Sequence, residues 1–203
     1  RVVAMITFPA GLGLSVLSGP ITQLLGYNEI TGKILILLGL GAIFAATDTP
    51  INSMLQAVGR VALPIKLLSV GLVIKVVLNY LLVGIREINV MGAGIGTLVC
   101  YFFLTVFGLV LLCRETKIKL DWVGLFVKPF LSGGVCVLSA YLVQNYAAML
   151  VDGRIATILA LFVAVVVYGA CMLWTRALQK SDVLMLPKGQ KIAKILENHG
   201  WIR

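Results

Sequence analysis

Six runs of apolar residues, each interrupted by only a few polar positions, divide the chain: residues 2–26, 34–58, 64–85, 90–113, 123–150 and 155–175. At 1.5 Å of rise per residue each run reaches across the roughly 30 Å of hydrocarbon in a bilayer, so the pattern predicts six membrane-spanning helices. The connections are short, and consecutive helices are expected to be antiparallel neighbours in one bundle with no linker. The division is therefore residues 1–177 as a six-span transmembrane lobe and 178–203 as a cytoplasmic tail. In the tail, Ile192, Ile195 and Leu196 share a face opposite Lys191 and Lys194, followed by Gly200 as a stop and Trp201 as an interface anchor. That spacing predicts a short amphipathic helix on an anionic lipid surface, with His199 as a surface residue.

Helix breakers are concentrated early. The first span holds Pro9, Gly11, Gly13, Gly19 and Pro20, and the second Gly39, Gly41 and Pro50. Interior prolines free carbonyls and bend a helix, which suits either a moving lobe or close packing. Pro64 stands at the beginning of the third span, where a missing N–H is harmless. Gly92 and Gly96, four apart at the head of the fourth, predict a close helix crossing. No strand precedes these glycines, so they do not form a phosphate-binding loop.

Composition agrees with a membrane protein: 60% hydrophobic, 12% charged and a mean hydropathy of +1.04. A net charge of +9 in a soluble protein would suggest nucleic acid as partner. Here the basic residues sort by loop instead. Arg1, Arg60, Lys66, Arg114, Lys117, Lys119, Lys128 and the tail lie on one side; Lys33, Arg86 and Arg154 lie on the other. By the positive-inside rule the first group is cytoplasmic, as are both termini, and no nucleic-acid partner is expected. The fourth connection, from Arg114 to Trp122, should lie along the cytoplasmic interface. Cys100, Cys113, Cys136 and Cys171 lack metal-ligand spacing and read as small hydrophobes. The chain opens on Arg1 directly before a span, which predicts a segment of a longer protein.

Two charges fall inside spans. Asp48 lies in the second and Lys75 in the third, and counting from Gly59 and Pro64 puts both at a similar depth of roughly 16 Å. A lone charge there costs roughly 2.5–3.5 kcal/mol on insertion scales. Either the two neutralise each other, or Lys75 meets an anionic group in a cavity while Asp48 carries a proton or cation that couples transport to a gradient. Asn52 and Gln56 share the face of Asp48, next to Thr47 and Thr49, while Asn79 and Tyr80 offer a matching stripe beyond Lys75. Gln144, Asn145 and Tyr146 read as interfacial. There is no Ser, His and acid constellation and no metal cluster, so neither an enzyme nor a cofactor site is expected.

At Phe8-Pro9-Ala10-Gly11-Leu12-Gly13, Ser53-Met54-Leu55-Gln56-Ala57-Val58-Gly59-Arg60, Lys75-Val76-Val77-Leu78-Asn79-Tyr80 and Gly92-Ala93-Gly94-Ile95-Gly96-Thr97 the chain resembles the polysaccharide-biosynthesis flippases. The resemblance is closest to their sporulation branch, C-terminal half, and covers nearly all 203 residues. It implies membership of the multidrug, oligosaccharidyl-lipid and polysaccharide exporter superfamily, an all-α fold of two helical lobes, and a missing N-terminal lobe as partner. The implied activity is alternating-access export of polyprenyl-diphosphate-linked oligosaccharide or peptidoglycan precursors across a bacterial plasma membrane. Lys75, Asn79 and Gln56 match the family pattern, whereas Asp48 interrupts a stretch that is mostly apolar and hydroxyl-bearing there. The alternatives are a multidrug cation antiporter of the same superfamily and a non-transporting scaffold for cell-wall enzymes.

Overall fold

The computed structural model describes residues 2–117, 127–150 and 153–174. The predicted amphipathic tail and most of the fourth connection lie outside them. Among the described residues the chain is all helix: α1 (Val2–Val16), α2 (Ser18–Leu24), α3 (Glu29–Ala57), α4 (Ala62–Val83), α5 (Met91–Thr116), α6 (Lys128–Leu150) and α7 (Gly153–Trp174). Three of these, α3, α4 and α5, are long and apolar enough to cross a membrane, and α1 with α2 passes the same test as a bent pair. This is a membrane-embedded helical protein.

The predicted first span is two helices, bent by 71° at Leu17. Pro20 lacks the N–H that the Val16 carbonyl needs to continue one helix, and it falls instead in the first turn of α2, where it is tolerated. Two later turns share one device. Gly26 (φ +74°) and Gly59 (φ +82°) take left-handed backbone that only glycine adopts without strain. In both, the next residue's N–H bonds back to the helix, Tyr27 to the Thr22 carbonyl at 2.8 Å and Arg60 to the Leu55 carbonyl at 3.0 Å.

By their internal packing the residues group into two compact units. One contains residues 1–9 with α6 and α7. Small buried residues, Ala140, Ala156 and Ala160, form its core with Cys136 and Val137, and Phe8 packs edge-to-face on Phe130. Gln144 is buried and donates to Thr157 Oγ1 at 3.3 Å, so it turns inward, unlike the expected interfacial residue, while Tyr146 remains exposed. Pro9 takes the N–H that the Met5 carbonyl would accept, and the Tyr168 hydroxyl donates to that carbonyl.

The other unit, residues 10–120, is organised by α5. The row Gly92, Gly96, Cys100 and Leu104 faces α4: a methyl at Gly92 would lie 2.7 Å from Leu82 Cβ, and Leu104 reaches Gly71. A second row faces α3, where Gly94 meets Leu37, Thr105 donates to the Phe44 carbonyl at 2.8 Å and Gly108 meets Ile51. The order of these contacts makes α3 parallel to α5 and α4 antiparallel to it. Gly92 and Gly96 thus make the close crossing their spacing predicts. Because α5 packs extensively on both neighbours, α3 and α4 scarcely touch, although they are consecutive.

Gly96→Val should wedge α4 away from α5, since Asn79 Oδ1 already occupies the space its side chain needs. A loss of about 1–3 kcal/mol of stability is expected, read as a lower unfolding temperature in detergent. Gly13→Ala, at a site with nothing within 4 Å, should leave stability unchanged or slightly raised.

Candidate functional site

The i, i+4, i+8 spacing of Asp48, Asn52 and Gln56 places them along one line of α3, and there they line a single cavity of about 190 Å³. Pro64, Ile65 and Leu68 of α4 and Leu104 of α5 close its other walls. Exposure rises along the line. Asp48 is only 8% exposed, Asn52 is half-buried and Gln56 is open at the last turn of α3. Asn52 Nδ2 donates to Asp48 Oδ2 at 2.7 Å, while Asp48 Oδ1 lies 3.8 Å from where a Cβ on Gly108 would stand. The flanking hydroxyls serve the backbone: Thr47 donates to the Ile43 carbonyl at 2.7 Å and Thr49 to that of Ala45 at 3.3 Å. Such back-bonding is local to the helix and adds no ligand to the cavity.

Lys75 and Asn79 lie elsewhere. Both belong to the stretch of α4 that crosses Gly96, where the Lys75 carbonyl and Asn79 Oδ1 approach that glycine. Asn79 Oδ1 is buried without a hydrogen-bond partner, and Tyr80, which was expected to extend its stripe, points out and is 83% exposed. Lys75 is half-buried. The ion pairs among the described residues are Lys33–Glu29 and Arg60–Glu115, so Asp48 and Lys75 do not pair. Equal depth fails as well. Measured against α5, Asp48 sits at Gly108 and the Lys75 backbone at Gly96, roughly 18 Å apart along that helix. The Cys100 thiol on α5 lies within electrostatic reach of both charges.

A second cleft, of about 310 Å³, opens between α2 and α3, with Gln23, Tyr27, Glu29 and Lys33 in its lining. Sequence reasoning passed over it. The signal was the Gly26 turn, which folds α2 back beside the first turn of α3.

Against this geometry, the chain matches no family model, no curated protein and no solved structure.

Replacing Asn52 by Ala removes the one hydrogen bond that the described residues make to the Asp48 carboxyl. A loss of about 1–3 kcal/mol is expected for a buried group left without its donor, whereas Thr49→Ala, on the exposed side of the helix, should be near neutral. Thermal unfolding of the two variants in one detergent checks this.

Proposed function

We propose that the protein is one lobe of a flippase that moves polyprenyl-diphosphate-linked oligosaccharide or peptidoglycan precursors across a bacterial plasma membrane by alternating access. The observation that carries this reading is the separation of Asp48 and Lys75 within apolar helices. An intramembrane charge without a counter-charge is costly, and such residues line pathways for ions or polar substrates. A half-buried Lys75 in an apolar helix supports the reading, because its ammonium would suit an anionic group such as a diphosphate, which needs shielding in hydrocarbon. The broad apolar surface of α4, with Ile65, Val73 and Val76 each more than 60% exposed, is suited to lipid and to a second lobe.

The six-span arrangement follows if the bent α1–α2 pair, α6 and α7 each cross once, with the C-terminus cytoplasmic by the basic-residue pattern. The resemblance in the first, second, third and fourth spans supports the same reading and favours the cell-wall and spore-cortex branch of the family. The sparse acids of the spans weigh against an organic-cation antiporter.

Depletion of the protein should leave lipid-linked precursor on the inner leaflet, and Lys75→Met should reproduce that defect with transport reduced by about tenfold or more. Accessibility of the precursor to a membrane-impermeant probe measures both. Raised drug sensitivity without trapped precursor would point to the antiporter, and mislocalised cell-wall enzymes without trapped precursor to the scaffold. A double replacement of Asp48 and Lys75 by apolar residues that still transports would refute the reading.

A further inference from the structure

We propose that the α3 cavity is a proton-loading site: Asp48 takes up a proton through the cleft lined by Gln56 and Asn52, entered from the Gly59 end of α3. This rests on the transport reading and deepens it by naming the coupling particle and its route.

Three observations converge on it. First, the polar line runs from an exposed amide, through a half-buried one, to a carboxyl that is 8% exposed, over roughly 12 Å of helix. A cavity of about 190 Å³ accompanies it and has room for several waters, which need the polar partners that this line supplies. Second, the site is poor in ligands for a metal ion. Metal cations such as sodium or calcium require several oxygens about one point, whereas Asn52 turns its NH₂ to the carboxylate and Gln56 lies two turns away. The remaining lining, Pro64, Ile65, Leu68 and Leu104, is apolar, and no group of three His, Cys, Asp or Glu occurs among the described residues. Third, the Cys100 thiol on α5 lies within electrostatic reach of Asp48, Lys75 on α4 lies farther along at the level of Gly96, and neither bonds to Asp48. A proton alone neutralises the carboxyl without further ligands, and a neutral α3 face can then change its surroundings at lower cost. Asn52 acts as a positioning residue, holding Oδ2 and leaving Oδ1 toward Gly108.

The test uses the full-length protein in native membranes with dicyclohexylcarbodiimide, which adds to carboxyls that carry their proton in an apolar setting. The carboxyl oxygen bonds to the carbodiimide carbon, its proton passes to nitrogen, and the adduct rearranges to a stable acylurea found by peptide mass spectrometry. Labelling of Asp48 is expected, at least about tenfold stronger near pH 6 than near pH 9 and indifferent to sodium. A charged, impermeant carbodiimide should reach Asp48 from one membrane face only. Gln56→Trp, which fills the mouth, should block that reagent while leaving labelling by the lipid-soluble one. Absence of Asp48 labelling at every pH, protection by sodium, or access of the impermeant reagent from both faces would overturn the proposal. Labelling needs no lipid-linked substrate. Asp48 labelling in a protein whose untreated form moves no precursor would leave the proton site standing and refute the flippase reading, while precursor transport by a protein that never labels would overturn the proton site.

Discussion

The close approach that glycine permits on α5 is the constraint on which the unit around it depends. With Gly92 and Gly96 against α4 and Gly94 and Gly108 against α3, α5 packs tightly on both neighbours and keeps them apart. In a lipid setting there is little hydrophobic gain from joining helices, so packing of small residues decides which pairs form. The consequence reaches the charges. Asp48 is fixed at the level of Gly108 and Lys75 near Gly96, each facing its own surroundings. Two charged positions with separate surroundings follow from that packing.

Backbone groups freed by proline are handled by the same economy. The Met5 carbonyl, without a helical partner because of Pro9, is met by the Tyr168 hydroxyl inside the unit of residues 1–9, α6 and α7. At Leu17 the chain bends by 71°, and Pro20 comes to rest in a first turn that needs no donor from it. Around Asp48, hydroxyls of Thr47 and Thr49 fold back onto their own helix, and among the described residues the carboxyl is left to Asn52. The polar content of α3 is therefore largely internal, and the Asp48 to Gln56 line stands out as the part that opens to a cavity.

Much of this was legible in residues met in order. Hydropathy marked six apolar runs, the first of which is the bent pair α1 and α2, the Gly92 and Gly96 spacing marked the tight crossing, and a four-residue period put Asp48, Asn52 and Gln56 on one line. Depth can be counted along a helix, but lateral order cannot. Nothing in residues 34–85 says that a later helix will separate α3 from α4, so the inferred equal depth of Asp48 and Lys75 failed, and Tyr80 points away from the stretch where Lys75 and Asn79 meet Gly96. Gln144 was misread for a related reason: its partner, Thr157, lies on the next helix, and only the pairing of α6 with α7 turns it inward.

The central claim is that the two intramembrane charges are independent, and a double-mutant cycle of Asp48→Asn and Lys75→Met on thermal unfolding measures it most directly. The account predicts that the double variant loses the sum of the single losses to within about 0.5 kcal/mol. A coupling of about 2 kcal/mol or more, with the double variant more stable than either single one, would show that the charges hold each other and would contradict it.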